Sequence, residues 1–469
     1  GSHLYAINAL NGKLVDSFGV NGRIDLHKGL DRDIKDMFVT ATSPGMVFKD
    51  LLIMGSRVDE GPVAAPGHIR AYDVRTGQQR WIFHTIPFPG EAGYETWEDS
   101  NSYKQIGGAN NSSGMGLDEK RGIVYVPTGS ASWDFYGGKR RGNNLYADCL
   151  LALDANTGKR IWHFQHIHHD VWDRDIPTPP ALVTVTHNGK KIDAVAQTTK
   201  TGFVFVFDRE TGESLFPIEE KPVPVDTELT NEKLSPTQPI PVMPKPYVRQ
   251  TFTEEELNNI VSDSEYNDIK AKWASYRKDH MYAPPSKQGT IIFPGYDGGA
   301  EWGGPAYDPE TSMLYINANE IPWLIGFRDA VYPTAKDEPM LEAGQRLYLQ
   351  HCATCHGADR KGTGNFPTVI GMDKKYDAKT LDELIVSGRR MMPGMSHIPA
   401  DHRQGIATYI LERKSDYKKI FKFVPPPVDS FRQLPYAITG YNKFLTKEGY
   451  PAIRPPWGTL NAINLSTGE

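Results

Sequence analysis

The chain has 469 residues, 52 basic against 57 acidic side chains, and a formal charge of −5. That balance is too mild for a nucleic-acid partner or for adhesion to an anionic membrane surface. With 39% hydrophobic and 11% aromatic residues there is material for a real core, so wholesale disorder is excluded. The 44 glycines and 35 prolines are not gathered in a low-complexity tract, which points to many tight turns, as in β-rich folds. No apolar run approaches the roughly 18 residues of a membrane span. The leading Gly1-Ser2-His3 has the look of a cloning scar, so a missing export signal says nothing about the natural precursor.

Taken in chain order, a short apolar strand, an Asp or Asn, a Thr-Gly or its equivalent and an aromatic recur. Ala6-Ile-Asn8 to Gly12 is a weak copy. Ala71-Tyr-Asp73-Val-Arg-Thr76-Gly77 leading to Trp81, Ala152-Leu-Asp154-Ala-Asn-Thr157-Gly158 leading to Trp162, and Val206-Phe-Asp208-Arg-Glu-Thr211-Gly212 leading to Phe216 are strong ones. Ala306-Tyr-Asp308-Pro-Glu-Thr311 is weaker, and Ala462-Ile-Asn464-Leu-Ser-Thr467-Gly468 stands at the C-terminus. Each copy predicts a hairpin whose turn glycine supplies a positive φ. The copies up to Asp308, 54 to 100 residues apart, suit four-stranded propeller blades with insertions, since a bare blade takes roughly 40–50 residues. A β-sandwich with coincidental turns is the bland alternative. Cys149 lies in an apolar strand and reads as a small buried hydrophobe. Residues 217–246, with eight prolines, read as an extended excursion over the surface. Thr253-Glu-Glu-Glu256 then caps a short helix running towards Trp273 and Tyr276.

The remaining cysteines fall in His351-Cys352-Ala353-Thr354-Cys355-His356. With one further cysteine in the chain, a disulfide framework is excluded. Cys-x-x-Cys-His is the attachment pattern of a c-type haem: on a helix the two thiols share a face, and the histidine follows to meet the iron. A thioredoxin-like pair needs a βαβ context, and a zinc site needs a second Cys/His pair. Leu341 to His351 carries helical periodicity into the motif. Thr380-x-x-Glu383 is a capping box, and helical spacing resumes from Ile406 to Leu411. Over residues 336–420 the motif, the helix order and the loop Met391-Met392-Pro393-Gly394-Met395 resemble a class I cytochrome c. The resemblance implies His356 and Met392 as axial ligands of the iron, with Met391 and Met395 as rivals of Met392. A thioether ligand raises the potential. Pro425-Pro426-Pro427 marks the return to β structure.

The rest of the chain resembles the quinoprotein dehydrogenases, eight-bladed propellers that hold pyrroloquinoline quinone (PQQ) and Ca²⁺ on the axis. The longest match runs from Trp162 through His168-His169-Asp170-Val-Trp172-Asp173-Arg-Asp175 to Pro177, then Gln197-Thr-Thr-Lys200 to Arg209. It is most like the glucose-dehydrogenase branch. Tyr296-Asp-Gly-Gly-Ala-Glu-Trp302 and Leu314 to Glu320 fit as well. The expected fold is mainly β, part of such a propeller (1–335 and 421–469) with a small all-α cytochrome c domain inserted at 336–420. The resemblance implies Asp173 as the base that takes the substrate proton and as a possible Ca²⁺ ligand. It implies Lys200 on the quinone oxygens, Asn319 at the cofactor, and Glu60 and Ser130 on Ca²⁺. His168 and His169 receive no catalytic role.

Two departures stand against the family pattern. Ser112 occupies the place of the tryptophan that floors the quinone, and the chain begins inside one blade and stops inside another, so further sequence is expected at both ends. The implied function is PQQ-dependent oxidation of an alcohol or sugar hydroxyl by an exported, periplasmic protein. Electrons would leave through haem c to an external cytochrome or quinone. The alternative, which Ser112 favours, is a non-enzymatic haem c carrier or binding protein on a propeller that has lost PQQ.

Overall fold

The computed structural model describes residues 1–34, 37–330, 337–363, 366–422 and 431–469. Two four-stranded antiparallel sheets follow one another: Met46–Phe48, Leu51–Met54, Ile69–Asp73 and Gln79–Phe83, then Gly116–Asp118, Ile123–Pro127, Cys149–Asp154 and Arg160–Gln165. A third sheet holds Ala181–His187, Lys190–Thr198 and Val204–Asp208. A fourth holds Ala306–Asp308, Met313–Asn319 and Gly458–Asn464.

The repeated motif explains both the turns and the order of the sheets. Asp73 Oδ1 accepts the backbone N–H of Arg75 and Thr76 at 3.0 and 2.9 Å. Gly77, at φ 73°, donates its N–H to the Asp73 carbonyl at 2.8 Å. Asp154 and Asp208 repeat the arrangement with Thr157, Gly158, Thr211 and Gly212. The aromatic that closes each copy then covers the next turn. Trp81 donates its indole N–H to the Ala155 carbonyl at 3.2 Å, and Trp162 donates to that of Arg209 at 3.0 Å. A Cβ on Gly158 would lie 2.5 Å from the Trp81 ring, and one on Gly212 2.6 Å from Trp162. Glycine is therefore needed twice over, for the left-handed turn and for the room beneath the indole. Phe216 sits over Gly468 in the same way.

Between the sheets lie the cores these contacts imply. Ile53, Ala71, Val124 and Leu151 join the first two sheets, Tyr125, Phe205 and Phe207 the next pair, and Val185, Val206, Leu314 and Ile463 the last. Cys149 is fully buried in the first of these.

Two expectations about residues before the helical unit need correction. Residues 217–246 are more than a surface excursion: Ile218–Pro222 pairs with Thr237–Pro241, and Leu229, Leu234 and Gln238 are buried. The Thr253–Glu256 capping box is present, but it closes only a 3₁₀ turn; the helix starts later, at Asp263–Ser275, capped by Ser262.

The helical unit contains Met340–His351, Ala353–His356, Ala378–Ser387 and Ala400–Ile410. Its first and last helices pack backbone to backbone through Gly344, where a Cβ would stand 2.3 Å from the Gly405 carbonyl oxygen. Leu347, Tyr348, Leu381, Ile385 and Ile406 fill its core. The third helix is capped by Asp377, not Thr380. The Asp377 carboxylate accepts the Thr380 N–H at 2.8 Å, starting the helix one turn earlier than the Thr380/Glu383 pattern suggested. On either side of this unit, Phe327–Asp329 pairs with Tyr436–Ile438, and Trp323–Ile325 with Asn442–Lys443. Residues 331–336 and the Pro425–Pro427 run lie outside the described residues.

Candidate active site and haem cradle

Asp170 builds the turn that presents Asp173. Its carboxylate accepts the N–H of Trp172 at 2.8 Å and of Arg174 at 2.7 Å. Trp172 is wholly buried and anchored by its indole N–H on the Ala283 carbonyl at 2.9 Å. Asp173 then adopts φ 55°, turning its carboxylate back towards Lys200. Lys200 comes from the end of the long strand Lys190–Thr198, in a turn closed by the Gly202 N–H on the Thr199 carbonyl.

Lys200 Nζ lies 3.0 Å from Asp173 Oδ1 and also contacts the Asp175 carboxylate. The loop Tyr296–Ala300 covers its stem. The Gly299 N–H donates to the Lys200 carbonyl at 2.7 Å, and a Cβ on Gly298 would stand 2.7 Å from Lys200 Cγ. Asn319 stands behind this loop, donating its side-chain amide to the Asp297 carbonyl at 3.1 Å and its backbone N–H to that of Gly299. The structure thus brings Asp173 and Lys200 into direct contact, with Asn319 one loop away.

The site is rich in acid. Asp134, Asp148 and Asp170 are almost completely buried, and burial pushes each of them above the usual carboxylate range. Asp173 is raised by burial too; Lys200 opposes the shift, while Asp175, Asp134 and Glu60 add to it. Glu301 is pushed up to about 7, chiefly by burial. For Lys200, burial pulls the ammonium down, but the charges of Asp173, Asp175 and Glu301 outweigh that and hold it well above its ordinary value. Lys200 is thus held charged, while burial and mutual repulsion push the surrounding carboxylates upward against the opposing charges of Lys200 and Arg140.

The two calcium candidates stand differently. The Glu60 side chain is open to solvent yet crowded by protein; it accepts the Tyr441 hydroxyl at 3.2 Å, and the surrounding protein raises its pKa. Ser130 is buried, with its hydroxyl between Asp170 and, at 3.2 Å, Asp148. Among the described residues no three acidic, His or Cys side chains converge closely enough to ring an ion. Hard carboxylate oxygens, the donors Ca²⁺ prefers, are nonetheless abundant around Glu60, Asp173 and Asp175. For a quinone tricarboxylate the residues offer the Lys200 ammonium. They also offer buried hydroxyls on Ser56, Ser113 and Tyr296 that have no partner among the described residues. Ser112 is small and half-buried, its carbonyl taken by Thr42 at 2.9 Å. Aromatic surface comes from Tyr296, Trp323, Phe135 and Tyr441, with centroids 5.1 to 5.8 Å apart.

The haem motif is preorganised. His356 Nδ1 donates to the Pro367 carbonyl at 2.8 Å, which fixes the ring and leaves Nε2 for an iron, the usual support of a metal-bound imidazole. Burial raises the Cys352 and Cys355 thiols to about 12. Met392 and Met395 pack against the helical core, and the backbones of Arg389 and Met392 pair to form the loop. Met391 is 58% exposed, so burial argues against it as the ligand.

Sequence reasoning assigned no role to Glu301, Asp134 or Tyr441. Glu301 lay inside a quoted motif; the other two come together with Glu60 only in three dimensions. His168 pairs with Gln165 and Glu220, and His169 with Glu232.

Residues 1–368 match the family described as PQQ "Glucose/ethanol/alcohol dehydrogenase, beta-propeller domain". Residues 339–410 match "Cytochrome C oxidase, cbb3-type, subunit III". The quinoprotein glucose dehydrogenase of Escherichia coli is 28% identical over 99% of this chain and 48% of its own length. That of Acinetobacter calcoaceticus is 34% identical over 68% of this chain and 40% of its own. The chain thus spans about half or less of the relatives it matches. Among solved structures, a quinohemoprotein alcohol dehydrogenase from Pseudomonas putida aligns with a TM-score of 0.56 and 17% identity, over 88% of this chain and 79% of that one, a likeness of fold. The chain belongs to the PQQ β-propeller dehydrogenase family, mainly β with a helical cytochrome c unit, and its cofactors are those of that family and unit, PQQ and covalent haem c.

Proposed function

We propose that the protein oxidises the hydroxyl of an alcohol or sugar and passes the electrons through its haem c to an external cytochrome or quinone. The observation that carries this reading is the Asp173–Lys200 pair, a raised carboxylate on a buried ammonium, standing in one chain with a haem motif whose histidine is already oriented. When bound, PQQ supplies an ortho-quinone that takes up two electrons, Ca²⁺ a Lewis acid beside it, and haem c a one-electron exit.

Asp173 acts as the base, accepting the substrate hydroxyl proton on its carboxylate. Lys200 opposes the upward shift of Asp173 and offers its ammonium to the quinone oxygens, and Asn319 supports the loop that covers it. Glu60 and Asp173 provide carboxylate oxygens for Ca²⁺, with Ser130 behind them. Cys352 and Cys355 attach the haem, and His356 and Met392 ligate its iron. Relatives are named as dehydrogenases of glucose, quinate/shikimate, glycerol and alcohol. This supports a substrate with an oxidisable hydroxyl. The domain limits we propose are 1–335 and 421–469 for the propeller and 336–420 for the cytochrome. A periplasmic location suits the haem attachment; no helix among the described residues is long and apolar enough to cross a membrane.

A haem carrier without quinone is the second reading, favoured by Ser112 at the flooring position. Equilibrium dialysis of the haem-loaded protein against PQQ and Ca²⁺ separates them. Stoichiometric quinone retention that is lost in Lys200→Met supports the dehydrogenase, and no retention supports the carrier.

A further inference from the structure

Tyr441 belongs to the segment that follows the helical unit, yet it touches both halves of the chain. Its hydroxyl donates to Glu60 Oε2 at 3.2 Å. Its ring lies 5.8 Å from that of Tyr296 and 5.6 Å from Phe135 on the propeller side, and 5.7 Å from Phe366 on the other. Phe366 directly precedes Pro367, whose carbonyl holds the Nδ1 proton of His356. Next to Tyr441, Gly440 is pressed onto the haem motif. A Cβ there would stand 3.1 Å from the Thr354 carbonyl oxygen and 3.2 Å from Thr363 Cγ2, and Thr363 in turn donates to the Cys355 carbonyl at 2.7 Å. An unbroken series of contacts therefore runs from Glu60 through Tyr441, Phe366 and Pro367 to His356.

We infer that Tyr441 is a positioning residue that ties the proximal haem histidine to the carboxylate site, so that a change at Glu60 alters the haem potential through the Tyr441–Phe366 contact. The physical basis is the hydrogen bond from His356 Nδ1. Its strength and angle set how much electron density the imidazole gives the iron, and such outer contacts tune a metal centre. Pro367 is bonded directly to Phe366, and the Phe366 ring lies against that of Tyr441. Tyr441 is held in turn by one hydrogen bond and two packed rings on the propeller. The inference rests on haem attachment at Cys352 and Cys355 but not on dehydrogenase activity, and its test uses neither quinone nor substrate.

The test is a double-mutant cycle on the full-length, haem-loaded protein, with the haem midpoint potential read by spectroelectrochemistry. Glu60→Gln removes the charge while keeping the shape, and Tyr441→Phe removes the hydroxyl while keeping the ring. The expected result is a potential shift on Glu60→Gln that is largely lost in the Tyr441→Phe background. An equal shift in both backgrounds would show that Glu60 acts only through its field in space, and no shift in either would show no coupling; each overturns the inference. Should Tyr441→Phe fail to take up haem, Phe366→Leu closes the same cycle from the other end, with the same two outcomes deciding it. Failure here leaves the dehydrogenase reading standing, whereas a protein without substrate oxidation could still pass.

Discussion

Replacing Lys200 by Met removes an ammonium that contacts both Asp173 and Asp175, whose side chains are only 18% and 23% exposed. Breaking such a pair from one side strands charge, a loss of about 3–5 kcal/mol in buried settings. The structure sets a ceiling, because Asp173, already raised by burial, can escape by taking up a proton. Protonating an acid of ordinary pKa near 3.9 costs about 4 kcal/mol at pH 7 and about 1.5 kcal/mol at pH 5. The sign follows from linkage. A carboxylate whose folded pKa lies above its unfolded one loses stabilisation as pH rises through that interval, so the deficit of the variant must grow from pH 5 to pH 7. Urea unfolding followed by tryptophan fluorescence at both pH values measures this. A deficit of equal size at the two would mean that Lys200 stabilises through its buried stem and not through its charge, and the charge argument would fall.

Three further outcomes are expected. Because Asp173 is raised above the carboxylate range, substrate-dependent haem reduction should climb with pH through that raised value. Asp173→Asn should abolish the limb and lower turnover by roughly 10²–10⁴-fold, as loss of a general base does. Gly158→Ala forces a Cβ against the Trp81 ring at φ 71° and should cost clearly more than Gly189→Ala, which has φ 74° but open space around it; thermal unfolding of the pair reads the difference. Met392→Ala should lower the haem potential, since a thioether ligand raises it, whereas Met391→Ala, at an exposed side chain, should leave the potential in place.

What could be read from the sequence is what local chemistry dictates. Asp73, Thr76 and Gly77 each serve one turn, and Trp81 must cover something, so a repeated register betrays a repeated sheet. The haem motif is equally local, since Cys352, Cys355 and His356 act within two turns of helix. Asp173 and Lys200, 27 residues apart, were legible only through resemblance to a family; nothing in their spacing brings them together. Asp134, Glu301 and Tyr441 were not assigned because their role is collective. Asp134 and Tyr441 meet Glu60, and Glu301 meets Lys200, only once distant parts of the chain close on one another. The helix at Ala378–Ser387 shows a finer limit. Thr380 and Glu383 satisfy a capping pattern, but Asp377 satisfies one three residues earlier, and an ionised carboxylate is the stronger acceptor for the free N–H groups.

The central claim, that a hydroxyl oxidised beside Asp173 delivers electrons to the haem of the same chain, is tested most directly by anaerobic mixing. Protein loaded with haem, PQQ and Ca²⁺ is combined with glucose, quinate, glycerol and simple alcohols while the haem absorption is followed. The account predicts conversion of ferric to ferrous haem with at least one of these substrates, only when PQQ is present, and not in Asp173→Asn. A fully loaded protein whose haem stays ferric with every substrate, yet is reduced at once by dithionite, would contradict it.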